Sequence, residues 1–170
     1  MLLKYFTPHL QLDSVLDVQP EMLCALGVEG LLVDLDETLK DYHESSFRPE
    51  VVSWVEQMNR VPIRLCILTN GRAARVQPLA ERLGVMCVPW ALKPFTKGLS
   101  AGLAKLELDR TRVAMVGDQI FADVLAGRLA GVFTILVRPT TTREPWNTHI
   151  KRPLERLVLR RIAANSKPIP

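Results

Sequence analysis

The sequence predicts an α/β fold, a doubly wound parallel sheet with helices on both faces in three layers. Short apolar runs alternate with longer amphipathic segments from residue 20 to residue 137, and this alternation is typical of βαβ units. Several short runs are apolar at successive positions, as expected for strands of a parallel sheet that is covered on both faces. We therefore expect parallel strands joined by crossover helices.

Each predicted element is bounded by residues that start or stop regular structure. We predict strands at 30–34, 63–68, 85–88, 112–116 and 132–137, and helices at 20–26, 50–59, 72–83, 96–106 and 121–130. Pro20 and Pro49 stand at helix starts, where the missing N–H costs no hydrogen bond. Gly27, Gly84 and Gly131 follow three of the helices, where a left-handed residue commonly ends a helix.

Two helices carry more specific expectations. Thr96 is expected to cap the helix at 96–106, because its hydroxyl can accept from a free backbone N–H. The helix at 50–59 is expected to bury one apolar face. That face consists of Val51, Val52, Val55 and Met58.

The length of 170 residues predicts a single domain. Its core should span about 28–138, with short helices at 1–27 and a loop followed by a basic amphipathic helix in 139–170. The net charge of +4 is too small to indicate nucleic-acid binding and suits an anionic substrate or membrane surface. With no transmembrane run and no secretory signal, we expect a cytoplasmic protein that could adhere to the inner face of the membrane. The three cysteines are expected to be free thiols.

The strongest functional signal lies where the first predicted strand ends. Asp34 and Asp36 follow the apolar run of 31–33 directly. Two carboxylates at the end of a buried strand are costly unless a cation neutralises them. The alternative is that they are turn acids. We favour a divalent metal, because open α/β sheets bind ligands at the carboxyl ends of their strands.

Polar residues follow the other predicted strands in the same way. They are Thr69 and Asn70, Lys93, and Asp118 with Asp123. Acids around a metal, with a hydroxyl and an ammonium, form a set suited to phosphoryl transfer. Each residue also has a plain structural alternative, since Thr69 or Asp118 could cap an element and Lys93 or Asp123 could be solvated.

These residues resemble the four motifs of the haloacid dehalogenase superfamily of phosphatases, in the same order along the chain. The first motif, DxDxT, is similar to residues 34–38, and the second is similar to Thr69 in Leu68-Thr69-Asn70. The third is similar to Lys93-Pro94. The fourth, GDxxxxD, is similar to 117–123.

The resemblance implies the chemistry of the acids. Asp34 would be the nucleophile that forms an aspartyl-phosphate, and Asp36 would be the general acid and then the general base. Asp34, the backbone carbonyl of Asp36 and Asp118 would bind Mg²⁺. Asp123 would not contact the substrate itself, and would instead orient Lys93 or a metal-bound water.

The resemblance also implies how a phosphoryl group is held. Thr69, Asn70 and Lys93 would contact its oxygens. The positions where this superfamily inserts cap modules, at 38–48 and 89–92, are short in this chain. We therefore expect a capless enzyme whose open site suits large or surface-bound substrates.

The sequence is further similar to a subgroup that includes the phosphatidylglycerophosphate phosphatases. This likeness covers 117–125, 134–137 and the basic tail, but 126–129 reads Ala-Gly-Arg-Leu where Gly-Gly-Asn-Arg is expected. It implies a lipid phosphate at an anionic membrane surface as the substrate. Arg72, Arg75, Arg138 and Arg143 could ring the mouth of such a site, or be plain surface charges.

Three alternatives remain open. The substrate of a capless phosphatase could instead be a phosphoprotein, a nucleic-acid end or another exposed phosphate ester. A phosphorylation-controlled binding module also uses strand-end acids, a hydroxyl and a lysine, although in a different order along the chain. The third alternative is an inactive scaffold of the same superfamily.

Overall fold

The computed structural model describes residues 2–140, which form one parallel six-stranded sheet. The strands run in the spatial order β1-β6-β5-β2-β3-β4. Their bounds are β1 Leu10–Leu12, β2 Gly30–Val33, β3 Arg64–Leu68, β4 Met86–Val88, β5 Val113–Gly117 and β6 Phe133–Val137. The predicted fold class is confirmed, and each of the five predicted strands is present to within two residues at either end.

Strand β2 lies at the centre of the sheet, between β3 and β5. Gly30 pairs in register with Arg64 on one side and with Val113 on the other. The chain builds outwards from β2 through β3 and β4, then returns to add β5 and β6 on the opposite side. The order of strands therefore reverses between β2 and β5, and the carboxyl ends of these two strands border the crevice at that switch point.

Five α-helices connect and cover the strands. They are α1 Pro20–Ala25, α2 Pro49–Asn59, α3 Ala73–Leu83, α4 Thr96–Leu106 and α5 Leu125–Ala130. Gly84 and Gly131 end α3 and α5 in the left-handed conformation, as predicted. A single π-helical segment, Ile120–Val124, precedes α5, so the predicted helix at 121–130 begins with a wider turn. Such segments are frequent at functional sites.

The core lies on both faces of the sheet. On one face, alternate strand residues such as Leu31 and Val33 pack with α1, α2 and α3; on the other, Leu32 packs with α4 and α5. Successive side chains of a strand point to opposite faces, so both layers need apolar residues, which explains the continuous apolar runs.

Two details of the predicted helices are wrong. Thr96 is the first helical residue of α4, and Phe95 occupies the capping position without a side-chain hydrogen bond. On α2, Val52 is 36% exposed, whereas Trp54 is buried and donates its Nε1–H to the carbonyl of Val18 at 2.8 Å. A tryptophan that finds an acceptor can enter the core, which the apolar spacing alone did not indicate.

The N-terminal segment contains more than the short helices predicted for 1–27. Besides 3₁₀ turns at Leu2–Phe6 and Val15–Asp17, it supplies β1, which pairs in parallel with β6 at the sheet edge. The basic amphipathic helix predicted within 139–170 lies outside the described residues. Within 2–140, no helix is long and apolar enough to cross a bilayer.

Candidate active site

The predicted acids meet at the switch point of the sheet. Asp34 follows β2 and its N–H donates to the carbonyl of Val116 in β5 at 2.9 Å, while Asp118 follows β5 itself. Carboxylate oxygens of Asp34, Asp118 and Asp123 lie within 4.8 Å of one another, and all three residues are buried. The alternative of a solvated acid is therefore excluded for Asp123.

Lys93 crosses from β4 to join this cluster. Its Nζ donates to Oδ1 of Asp34 at 2.6 Å, to Oδ1 of Asp123 at 2.6 Å and to the carbonyl of Leu68 at 2.7 Å. Burial alone would lower the pKa of Lys93, but the carboxylates of Asp123 and Asp34 outweigh it and hold that pKa above its usual value. Lys93 is therefore a buried cation held between two acids, and it is not a solvated loop residue.

The same surroundings act on Asp34 in the opposite sense. Burial raises the pKa of its carboxyl from 3.8 to about 7, against the lowering effect of Lys93 and with a further increase from Asp123. A buried carboxylate of this kind is stabilised by an added cation. The site is therefore built to favour one more positive charge near Asp34.

Gly117 leaves space for Asp123, one of the two carboxylates that bind Lys93. A Cβ at this position would lie 2.3 Å from Cγ of Asp123, so no larger residue fits while Asp123 keeps its place. Asp123 is also fixed by the backbone N–H of Gln119, which donates to its Oδ2 at 3.0 Å. The glycine of the fourth motif thus lets the π-helical turn approach the end of β5.

Thr69 and Asn70 border the cluster at the end of β3. Oγ1 of Thr69 is buried and accepts from the N–H of Gly71 at 3.1 Å. The side chain of Asn70 bonds the backbone of Lys93 in both directions, accepting from its N–H at 2.7 Å and donating to its carbonyl at 3.1 Å. The structure thus gives Asn70 the task of positioning Lys93, and a direct contact of Asn70 with phosphate stays a prediction.

Asp36 lies near the cluster with partners of its own. Arg75 binds it with both ends of the guanidinium, at 2.7 Å and 2.5 Å, and Lys40 Nζ lies 3.7 Å from its Oδ1. A bidentate pair of this kind fixes the orientation of a carboxylate. Asp36 is therefore held at the edge of the site, and it is more exposed than Asp34.

A role for Lys40 was not predicted from the sequence, and Arg75 could have been a site residue or a plain surface charge. Lys40 is buried, and burial lowers its pKa while Asp36 opposes that change. Its position four residues after Asp36 offered a weak signal, since a turn or helix would bring the two together. For Arg75 the sequence offered no such signal; in the structure its guanidinium passes close to Gly71, where a Cβ would lie 2.6 Å from Nη2 of the arginine.

The three grouped acids suit a divalent metal by the chemistry of their donors. Buried carboxylate oxygens within 4.8 Å of one another repel each other unless a cation lies among them, and hard oxygen ligands favour Mg²⁺. Lys93 neutralises part of this charge, yet the raised pKa of Asp34 shows that one ammonium does not remove the cost of its ionisation. These residues therefore fit the metal that the motifs imply.

Within residues 2–140, the two positions where this superfamily inserts cap modules hold only short connections. The chain passes from β2 to α2 in residues 34–48 and from β4 to α4 in residues 89–95. Neither connection holds a further domain, in agreement with the predicted capless architecture.

Comparison with known proteins supports the same family. The profile of the haloacid dehalogenase-like hydrolases matches residues 4–131. A protein of Bacillus subtilis (strain 168), the probable phosphatase YqeG, is 32% identical over 159 residues, covering 94% of this chain and 92% of that protein.

Solved structures share the fold at low sequence identity. A cobalt-bound deoxy-D-mannose-octulosonate 8-phosphate phosphatase of Haemophilus influenzae has a TM-score of 0.54 at 13% identity, over 79% of this chain and 88% of that one. The 3-deoxy-D-manno-octulosonate 8-phosphate phosphatase of Moraxella catarrhalis was solved with magnesium, phosphate and KDO. It has a TM-score of 0.50 at 17% identity, over 82% of this chain and 91% of that one. The chain therefore belongs to the haloacid dehalogenase-like hydrolases, as its four motifs predict.

Proposed function

We propose that this phosphatase hydrolyses a phosphomonoester through an aspartyl-phosphate on Asp34, with Mg²⁺ as its cofactor and phosphatidylglycerophosphate as its substrate. The observation that carries the proposal is the buried cluster at the switch point. There Asp34 contacts Lys93 at 2.6 Å, and its carboxylate lies within 4.8 Å of those of Asp118 and Asp123. Three buried carboxylates with one ammonium among them are costly to stability unless a further cation binds, which is the arrangement expected for a metal-assisted phosphoryl site.

The chemistry takes place in two displacements at phosphorus. A carboxylate oxygen of Asp34 attacks, its bond to phosphorus forms, and the bond to the leaving alkoxide breaks as Asp36 gives that oxygen a proton. Asp36 then takes a proton from water, whose oxygen attacks phosphorus, and the bond to Asp34 breaks to release inorganic phosphate. Asp36 must give up its bidentate hydrogen bonds with Arg75 to reach the alkoxide oxygen.

The other residues stabilise charge and hold the phosphoryl group. Lys93 and Thr69 would contact its oxygens, and Asp123 holds the Lys93 ammonium in place for that contact. Mg²⁺ bound at Asp34, the Asp36 carbonyl and Asp118 would add positive charge opposite the phosphoryl oxygens.

The openness of the site supports a large or surface-bound ester over a small free metabolite. Arg72 and Arg75 lie on the loop and helix that follow β3, beside the proposed phosphoryl position. Phosphatidylglycerophosphate carries a phosphodiester a few bonds from its terminal phosphomonoester, and these cations suit that second negative charge. The sugar phosphatases among the structural neighbours share the fold alone, so they carry no argument for a sugar substrate.

A panel of esters tests the proposal. We expect hydrolysis of short-chain phosphatidylglycerophosphate, and much slower release of phosphate from a phosphopeptide or a 5′-phosphorylated oligonucleotide. Chelation should stop the reaction and Mg²⁺ should restore it. Asp34→Asn should remove turnover, whereas Asp13→Asn, at an exposed position, should leave it intact. Preference for the phosphopeptide or the oligonucleotide would overturn the lipid assignment.

The same panel separates the alternatives of another class. A phosphorylation-controlled module would incorporate one phosphoryl group per chain and release it slowly, without turnover. An inactive scaffold would neither incorporate nor release phosphate. Activity that persists in chelator would overturn the role of the metal.

A further inference from the structure

Three large apolar side chains project into solvent from the loop that carries Lys93. Trp90 is 54% exposed, Leu92 55% and Phe95 72%. We call residues 90–95 the Trp90–Phe95 loop. Single exposed apolar residues are common, but a group of three within six residues, beside a proposed active site, marks an interaction surface.

The backbone of this loop is arranged to present these side chains. Trp90 and Leu92 both adopt positive φ, 52° and 54°, a conformation that is unfavourable for bulky residues. Ala91 between them is buried, and a Cβ at Gly98 would lie 2.4 Å from its carbonyl oxygen. The small residue Ala91 therefore points inwards and the large side chains of Trp90 and Leu92 point outwards, although positive φ is unfavourable for these two residues.

Hydrogen bonds fix the loop in that form. The N–H of Trp90 donates to the carbonyl of Gly71 at 3.0 Å, and the N–H of Ala91 donates to the carbonyl of Thr69 at 2.9 Å. Phe95 closes the loop by donating to the carbonyl of Leu92 at 3.0 Å. The exposed side chains thus stand on a rigid base that is tied to the loop after β3, where the phosphoryl group is proposed to bind.

The charges along the chain on both sides of the loop are mostly positive. Residues 69–106 contain six arginines and lysines and one acid, Glu81. The exposed cations there include Arg72, whose guanidinium lies 5.9 Å from the ring centre of Trp90, and Lys97. Aromatic and aliphatic side chains with cations at their margin match the interface of an anionic bilayer, where apolar groups enter and cations meet headgroups.

We propose that the Trp90–Phe95 loop docks this phosphatase on an anionic phospholipid surface, with Trp90, Leu92 and Phe95 in the interface and Arg72 and Lys97 at the headgroups. The inference rests on the proposed lipid substrate, because docking here would bring the membrane to the mouth of the site. The loop carries Lys93, so a lipid phosphomonoester in the bilayer would lie beside the group proposed to bind it.

Vesicle binding by the full chain tests the docking surface. Wild-type protein should bind vesicles that contain phosphatidylglycerol, and bind pure phosphatidylcholine vesicles much less. Replacing Trp90, Leu92 and Phe95 together by alanine should raise the lipid concentration for half-binding by about tenfold or more, because three apolar side chains no longer leave water. This variant should still hydrolyse p-nitrophenyl phosphate, which shows that it is folded.

A matched variant controls for the loss of apolar surface in general. Leu2, Leu26 and Leu129 are also exposed and lie outside the loop, so replacing these three by alanine should leave vesicle binding unchanged. Equal loss in both variants, or unchanged binding in the loop variant, would overturn the proposal. Equal binding to phosphatidylcholine would overturn the anionic surface.

Fluorescence locates the contact independently. Brominated acyl chains should quench part of the tryptophan emission of wild-type protein, and Trp90→Phe should lose that part while keeping its binding. Quenching that is the same in both proteins would overturn insertion of Trp90. Vesicle binding without hydrolysis of a lipid phosphate would overturn the proposed function and leave the docking proposal intact. Hydrolysis of a soluble short-chain lipid phosphate without vesicle binding would overturn the docking proposal and leave the proposed function intact.

Discussion

Replacing Asp34 by asparagine should remove activity and at the same time stabilise the metal-free protein at neutral pH. The reason is that Asp34 is ionised at a cost: burial raises the pKa of its carboxyl from 3.8 to about 7. Between these two values the folded state holds a proton that the unfolded state has released. The contribution of Asp34 to the stability of the wild type should therefore fall as pH rises from about 4 to about 7, and then level off.

The size of the effect follows from the shift. A difference of about three pH units at about 1.4 kcal/mol per unit corresponds to about 4 kcal/mol of lost stability above pH 7. The neutral amide of the Asp34→Asn variant carries no such cost, although Lys93 then keeps only the carboxylate of Asp123. The stability of Asp34→Asn relative to the wild type should thus increase by up to about 4 kcal/mol between pH 4 and pH 7.

Urea unfolding in the presence of chelator at several pH values measures this change. Asp13→Asn serves as the control, since Asp13 forms an exposed ion pair with Arg138 and such pairs contribute little. Mg²⁺ should stabilise the wild type more than Asp34→Asn, because the ion binds the ionised carboxylate. A stability difference that does not vary with pH, or that varies in the opposite direction, would refute the reasoning.

Three further predictions concern separate parts of the domain. Asp36→Asn should give a burst of about one equivalent of nitrophenolate from p-nitrophenyl phosphate and then slow turnover. Nitrophenolate leaves without needing a proton, whereas hydrolysis of the phosphate on Asp34 needs a base to activate water. Stopped-flow absorbance measures the burst, and undiminished steady-state turnover would contradict the prediction. Gly117→Ala should lower stability by about 3 kcal/mol in urea titrations, since the new Cβ displaces Asp123 from its buried ion pair; wild-type stability would contradict that account. Burial raises the pKa of Cys66 to about 12, so only about one thiol in ten thousand is ionised at pH 8. A disulfide reagent should therefore modify Cys66 only after denaturation. Modification as fast as that of the exposed thiol of Cys24 would contradict this and show that the core around Cys66 opens.

Five of the six strands could be predicted from the sequence because each is an apolar run bounded by residues that stop regular structure. Strand β1 could not, because Leu10–Leu12 has only three residues and its middle residue is exposed. It forms through pairing with β6, where Leu10 lies opposite Ile135. A contact across more than a hundred residues leaves no local pattern in the sequence.

The acids of the site and Lys93 were predictable for a related reason. Polar residues after buried strands converge at one sheet edge, so their proximity follows from topology once the strands are assigned. The partners of Asp36 do not follow in this way. Arg75 lies within α3 and its charge looks like that of any solvated helix residue, so only the three-dimensional fold shows that it faces Asp36.

The short strand β1 also protects the domain from aggregation. β6 is apolar over most of Phe133–Val137 and hydrogen-bonds to β5 on one side and to β1 on the other. Without β1 it would offer a five-residue edge to which another chain could add a strand. The residues next to β1, His9 and Asp13, are polar and exposed, and they discourage such addition at the edge that replaces it. Loss of residues 1–12 should therefore increase self-association relative to the full chain.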